Sequence, residues 1–256
     1  VTSEDWSTLR PPIGRFDRVQ VFDEARSTQG NARLLCEGLP GLAVIAKRQL
    51  AGRGRQGRVW DDGGGASLSM STVVESRLPA AGLSLAVGLG VIQACAELGA
   101  AGLGLKWPND VVERIDGKRG RKLAGILIEG DRSLAIVGVG LNVSTKEGQW
   151  GPELDGVAVS LAQLGVDVDR PTVARAVLEG VSRWLDASPA DIRARWLEIG
   201  TLRGGHGVFR VDGQPVAGIV VDLDEQWRLV LETDAGSRVR IDAAHAHLEE
   251  SRPVGS

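Results

Sequence analysis

The chain has no tyrosine and only three phenylalanines beside seven tryptophans. A phenol therefore takes no part in any chemistry here. Cysteine is limited to Cys36 and Cys95, each inside an apolar, helix-like stretch. That excludes a disulfide framework and a cysteine-based metal site, and both thiols read as buried structural groups. The three histidines, His206, His245 and His247, all fall in the last part of the chain. An active site built from the first 200 residues has no histidine base and no histidine ligand. No signal peptide, lipid-anchor motif or apolar run of membrane-spanning length is expected, which makes the cytoplasm the default location. The net charge of -3 gives no general attraction to nucleic acid.

Against that background one segment stands out. Gly52-Arg53-Gly54-Arg55-Gln56-Gly57-Arg58 holds three arginines and three glycines in seven residues, and Lys47 and Arg48 precede it. Glycine lets the backbone close around a ligand, and the arginine fork suits phosphate and carboxylate oxygens. The segment reads as an anion clamp. Arg-Gly runs also occur in disordered RNA-binding tails, but those lie in low-complexity sequence. This one sits between an apolar run, Leu42 to Ala46, and the alternating run Ser67 to Val73.

At 256 residues with 43% hydrophobic content, the chain holds one large domain, or one of about 200 residues plus a small one. The expected order is an irregular lead-in over 1–18, a main α/β domain over 19–202, a small β domain over 203–250 and a tail over 251–256. Val19 to Phe22 predicts a strand, and Ser27-Thr28 caps a helix running to about Cys36. Leu42 to Ala46 predicts a buried strand that brings Gln49 to its end, facing the clamp. Ser67 to Val74 predicts a half-buried strand. Leu83 to Leu98 predicts a buried helix. Leu103 to Lys106 is a strand stopped by Pro108, which projects Lys106, Asn109 and Asp110 from a rigid element. A hairpin tip at Gly117 to Gly120 joins Val111–Ile115 to Lys122–Glu129, where Gly125 permits close approach of a ligand or another backbone. Leu134 to Val139 is a further strand, running into Gly138-Val139-Gly140-Leu141-Asn142, which is not a dinucleotide fingerprint because the third glycine is missing. Pro171 to Leu185 and Ala190 to Ile199 predict helices. Four short alternating runs from Gly207 to Ile241, separated by turns, predict a small all-β barrel.

The segments Ser27-Thr28, Gln49, Gly52 to Trp60, Lys106-Trp107-Pro108-Asn109-Asp110, Lys122-Leu123-Ala124-Gly125-Ile126-Leu127 and Gly138 to Asn142, in that order, resemble the biotin protein ligases. The likeness is strong over roughly residues 20 to 145 and looser over the C-terminal part. It implies an α/β (α+β) fold: a central mixed β-sheet flanked by helices, class II synthetase-like, followed by an SH3-like β-barrel. It also implies two half-reactions, in which biotin and MgATP give biotinyl-5′-AMP and pyrophosphate, and the acyl group then passes to one lysine of a biotin carboxyl carrier domain of an acyl-CoA carboxylase. A short form without an N-terminal DNA-binding domain is expected, hence no DNA or membrane partner; a homodimer is compatible with the family.

The resemblance assigns residues as follows. Lys122, at the junction of carboxylate and α-phosphate, is the expected essential group, with Arg53, Arg55 and Arg58 neutralising charge. Biotin is expected against Ser27, Thr28, Gln29, Gln49, Gly52, Arg53, Gly54, Arg55, Lys122 and Gly125. Gln29 stands where the family usually has asparagine. ATP and the adenylate are expected against Arg55, Arg58, Trp60, Lys106, Asn109, Asp110, Lys122 and Asn142, with Asp110 offering an oxygen to Mg²⁺. Thr28 also reads as a helix cap, Asp110 as a turn residue, and Trp60 and Trp107 as core residues. For the second step a nearby carboxylate or the adenylate itself assists deprotonation of the incoming lysine.

Overall fold

The computed structural model describes residues 4–130 and 133–252. The elements in order are β1 (Arg18–Ala25), α1 (Thr28–Leu35), β2 (Leu42–Gln49), β3 (Gly52–Arg53), β4 (Val59–Trp60), β5 (Ser67–Val74) and α2 (Ala80–Glu97). There follow β6 (Leu103–Lys106), β7 (Asp110–Ile115), β8 (Lys118–Gly130), β9 (Ala135–Asn142), α3 (Arg170–Leu185) and α4 (Pro189–Ile199). The last strands are β10 (His206–Val211), β11 (Gln214–Leu223), β12 (Leu229–Thr233), β13 (Arg238–Ile241) and β14 (Ala246–Arg252).

Seven strands form one mixed sheet in the order β1-β2-β5-β9-β8-β7-β6, in which only β1 and β2 run parallel. Strands β10 to β14 form a separate antiparallel sheet in the order β13-β12-β11-β10-β14, the counterpart of the small β unit expected there. Its fifth strand, β14, has no counterpart in the sequence expectation. It also carries residues 251 and 252, whereas 253–256 of the expected tail lie outside the described residues.

The two faces of the large sheet are covered unequally, and that asymmetry makes the site. Leu68, Met70, Ala124, Ile126, Val139 and Leu141 pack with the apolar residues of α2 and α3 in the main core. On the opposite face Val44, Val73 and Ile136 meet Ala32, inside α1, and Cys36, just past its end. That helix spans only eight residues, so it covers one end of the sheet and leaves the rest of the face to other elements.

Several expectations are corrected. β5 is buried along its whole length, not half-buried, because its serine-bearing face is covered as well as its apolar one. Helix α2 is long and apolar enough to span a membrane by composition alone, contrary to the expected absence of such a run; 72% of it is buried, and it is the core helix of this fold. The hairpin turns at Asp116-Gly117, with φ of 51° and 77°, and β8 already begins at Lys118. Ser27 holds the N-cap position of α1 without a side-chain capping bond, because Thr28 and Gln49 occupy that end of the helix.

The lead-in is packed. Trp6, Leu9, Ile13 and Phe16 enter the core, and Glu4 forms a two-pronged ion pair with the Arg170 guanidinium at 2.6 and 2.8 Å. The same guanidinium donates to Lys47 O at 2.6 Å, so it ties the lead-in to the end of β2. Cys36 and Cys95 are free and buried, as expected, and burial pushes the Cys95 thiol up to about 12.

Candidate active site

Cross-strand register builds the floor of a cleft on the face that α1 leaves open. Ser69 of β5 faces Gly140 of β9, Gly140 faces Gly125 of β8, Gly125 faces Asp110 of β7, and Asp110 faces Lys106 of β6. Opposed residues in an antiparallel sheet point the same way. One row therefore runs from a small hydroxyl, across two glycines, to a charged pair. Two residues along, roughly 7 Å away, a second row joins Ser71, Gly138 and Leu127.

The glycines are needed because other side chains lie directly on them. A Cβ on Gly140 would stand 2.3 Å from Trp60 Cε2, and one on Gly125 would stand 3.1 Å from both Trp60 Cζ3 and Lys122 Nζ. Gly138 is capped by Gln29 instead, whose Cδ would lie 3.0 Å away. The cleft above these rows encloses about 190 Å³ and is walled by the β3–β4 ribbon, the N-terminus of α1, the Trp107–Asp110 turn and the β14 residues Ala246 and Leu248.

The two ends of the cleft differ in chemistry. At one, Gln49 Oε1 accepts from Thr28 N at 2.8 Å and from Thr28 Oγ1 at 3.1 Å, and Thr28 Oγ1 lies 2.7 Å from Ser71 Oγ. These bonds orient the Gln49 amide, leaving Nε2 beside Gly52, where a Cβ would stand 2.8 Å from it. Asp62, buried in the turn after β4, accepts from Gln49 N at 2.6 Å and fixes the backbone there. Gln29 Nε2 donates to Leu127 O at 3.3 Å, so the longer amide is used within the protein to close this end.

At the other end Lys122 Nζ stands 2.7 Å from Asp110 Oδ1, and Lys106 Nζ stands 3.5 Å from Asp110 Oδ2. The Lys122 contact is an ion pair without hydrogen-bond alignment, since Asp110 Oδ1 has no hydrogen-bond partner among the described residues. Lys122 also lies 5.5 Å from the centroid of the Trp60 ring. Arg55 donates to Asn109 Oδ1 at 3.3 Å and to the carbonyl of Ala243, which brings the C-terminal sheet against the clamp. Asn109 is itself fixed by donating to Ile126 O at 3.0 Å.

Among the described residues five cations line the cleft, Arg53, Arg55, Arg58, Lys106 and Lys122, against one carboxylate, Asp110. The surplus is felt locally. Burial holds the Lys106 ammonium below the usual lysine range; Asp110 opposes this, while Arg119 and Lys122 add to it. Burial likewise lowers Arg55, with Asp110 opposing and Arg58 adding. The group of Arg55, Arg58, Lys106 and Lys122 around Asp110 is built to receive a polyanion, whereas Arg53 also borders Ser27 and Gln29 at the other end.

The sequence-assigned residues that line the cleft are Ser27, Thr28, Gln29, Gln49, Gly54, Trp60, Asn109 and Gly125, together with the five cations and Asp110. Two others stand apart. Gly52 lies behind the wall, against Gln49 and the Trp60 carbonyl. Asn142 is buried, and its amide donates to Val159 O at 3.0 Å and to Lys122 O at 3.3 Å, so it holds the Lys122 backbone from beneath. Asp110 has both oxygens committed to lysines, and among the described residues no three His, Cys, Asp or Glu side chains converge on a metal position. These residues do not fit a resident Mg²⁺; an ion carried in on phosphates with its own waters needs no such cage. Sequence reasoning missed Ser71, Ala243, Ala246 and Leu248, and it picked out Gly138 and Gly140 only as part of a matching segment, without a role. The alternate glycines of Gly138-Val139-Gly140 are a signal for an open sheet face, whereas the three C-terminal residues carried none.

Comparison with known proteins bears on the family and the fold. The biotin/lipoate A/B protein ligase family matches residues 26–144. The chain is 40% identical to the biotin--[acetyl-CoA-carboxylase] ligase of Mycobacterium tuberculosis, over 94% of this chain and 97% of that protein. It is 31% identical to the bifunctional ligase/repressor BirA of Escherichia coli, over 76% of this chain and 62% of that protein. Its fold superposes on the biotin protein ligase from Aquifex aeolicus in complex with biotin and ATP, with a TM-score of 0.80 and 27% identity over 92% of this chain and 100% of that one. The chain belongs to the biotin protein ligases of the biotin/lipoate A/B protein ligase family.

Proposed function

We propose that this cleft carries out both half-reactions of an ATP-dependent biotin protein ligase, with the neutral end reading the biotin head group and the charged end performing the adenylation. The observation that carries the reading is the placement of Lys122 between Asp110 and Trp60, on a glycine floor that continues to the Thr28–Gln49–Ser71 cluster. A ureido group offers two N–H donors and one carbonyl acceptor. Gln49 Nε2 and the hydroxyls of Thr28 and Ser71 supply the matching set, with Ser27 and Gln29 closing that end.

The valerate chain then runs past Gln29 and along the Trp60 ring, which covers Gly140 and Gly125, toward Lys122. There the carboxylate oxygen attacks the α-phosphorus of ATP, and pyrophosphate leaves with the bridging electrons. Lys122 stabilises both partners of that attack, while Arg53, Arg55 and Arg58 neutralise the phosphates and Lys106 and Asn109 hold their far side. Mg²⁺ would enter only as part of the nucleotide substrate; Asp110 serves chiefly to aim the two lysines. In the second step the amine of a carrier lysine attacks the acyl carbon, AMP leaves, and the amine proton passes to the phosphate or to Asp110. The acceptor is a biotin carboxyl carrier domain of an acyl-CoA carboxylase, and the reaction belongs in the cytoplasm.

The test is pyrophosphate release from ATP with biotin, lipoate or octanoate as the acid, in wild type, Lys122→Ala and Arg55→Ala. Biotin-dependent release that collapses in both variants is expected. Release driven by lipoate or octanoate in preference to biotin would reassign the substrate, and no release with any acid would remove the ligase reading.

A further inference from the structure

Two polar groups, one in the cleft wall and one beneath it, find no hydrogen-bond partner among the described residues. Among the described residues the Trp60 indole N–H is buried without a partner, and so is the hydroxyl of Ser69, a residue only 2% exposed. They are neighbours. Ser69 directly faces Gly140 across the β5–β9 ladder, which sets its Cβ about 5 Å from the Cβ position of Gly140. Trp60 Nε1 lies 2.6 Å from that same position. An indole can only donate and a hydroxyl can accept, so the pair is chemically matched and separated by little more than a side-chain reorientation.

A native protein seldom leaves two buried, matched polar groups apart, because each one unpaired costs about 1–3 kcal/mol. The indole has room to shift. It is carried by β4, a two-residue strand paired only with β3, and the intervening segment from Arg55 to Val59 is solvent-exposed or only partly covered. The shift is also tied to the head-group end of the cleft. A Cβ on Gly52 would stand 2.4 Å from Trp60 O and 2.8 Å from Gln49 Nε2, so the ribbon that carries Trp60 rests against the Gln49 amide.

We propose that Ser69 is a positioning residue for Trp60: when ligand fills the cleft and the clamp closes, the indole, already lying over Gly140, turns in place so that its N–H donates to Ser69 Oγ. The bond is absent in the open state and present in the closed one, so part of the free energy of closure comes from beneath the ligand. This rests on the ligase reading above, and it adds a residue that neither lines the cleft nor touches substrate.

The experiment is a double-mutant cycle on binding of a non-hydrolysable sulfamoyl analogue of biotinyl adenylate, measured by calorimetry for wild type, Ser69→Ala, Trp60→Phe and the double variant. Ser69→Ala should weaken binding by about 5- to 10-fold, the effect of one lost buried hydrogen bond. In the Trp60→Phe background the same substitution should cost nothing. The unliganded Ser69→Ala protein should melt no lower than wild type, because the change deletes an unpaired buried hydroxyl. The indole N–H resonance missing from Trp60→Phe should move downfield on ligand binding in wild type and stay in place in Ser69→Ala. Additive affinities overturn the proposal, as does an indole resonance that ignores the Ser69 substitution or is already shifted without ligand. Wild type that fails to bind the analogue at all refutes the ligase reading instead.

Discussion

The two ends of the cleft are made from the same sheet yet solve opposite problems. At the head-group end Thr28, Gln49 and Ser71 are neutral and mutually hydrogen-bonded, and Gln29 and Asp62 brace them from behind. A ligand there must fit groups whose directions are already fixed, which favours selectivity. At the other end Lys106, Lys122 and Arg55 crowd around one carboxylate, and burial lowers the affinity of Lys106 and Arg55 for their protons. That end is uncomfortable until an anion arrives. Electrostatic strain in the free protein that the transition state relieves raises rate, whereas a fixed neutral pocket sets affinity.

The largest break in this division comes from Lys122→Ala. It removes the cation nearest Asp110 while leaving the Thr28–Gln49–Ser71 cluster untouched. The turnover of adenylation should fall by about 10²- to 10³-fold, the scale of losing one transition-state donor. Biotin affinity measured without ATP should fall far less. Equal losses in both would mean that the two ends are not separable.

Gly140→Ala attacks the floor that both ends share. The new methyl would stand 2.3 Å from the Trp60 ring, which must lift or tilt. Overpacking of this kind costs about 1–3 kcal/mol, so binding of biotin and of ATP should each weaken by about 5- to 100-fold. An effect on one substrate alone would show that Trp60 serves a single end. Gln49→Ala tests the neutral end in isolation: Thr28 loses the acceptor for its backbone N–H, and the KM for biotin should rise by about 5- to 30-fold with turnover largely retained. A loss confined to turnover would place the head group elsewhere.

How much of this was legible in the sequence follows from where each signal is written. The clamp is contiguous, so Arg53, Arg55 and Arg58 announce themselves. Lys106 through Asp110 are likewise read together, because Pro108 ends the strand beside them. The floor is different. Ser69, Gly140, Gly125 and Asp110 are far apart in the chain and meet only through register, which needs the order of strands as well as their positions. β5 was misjudged for the same reason: a serine-rich face looks solvated until α1 and Trp60 are laid over it. Ala243, Ala246 and Leu248 are more than 180 residues from the clamp and chemically plain, and Arg55 reaches the first of them through a backbone carbonyl that every residue type provides. Asn142 was singled out with its glycine neighbours, but its place in the ladder turns it beneath Lys122 rather than into the cleft.

The smallest expected effect is also the one that sharpens the comparison most, because it separates discomfort from instability. Lys106 has its proton affinity lowered in the folded protein, by burial first and by Arg119 and Lys122 after Asp110 has pulled the other way. Between that lowered value and the ordinary lysine value the unfolded chain binds more protons at this position than the native one does. Stability contributed by Lys106 therefore rises with pH through the window. Binding of ATP moves oppositely, since the charge that receives phosphate is lost as pH rises through the lowered value. Wild type should show a few-fold alkaline rise in the KM for ATP, beginning below the ordinary lysine range, while its melting temperature gains relative to Lys106→Arg over the same interval. Arginine keeps its charge throughout, so the Lys106→Arg protein should lack the alkaline limb. If both proteins lose ATP affinity at the same pH, the titrating group is another one, and the strain at the charged end does not reside in Lys106.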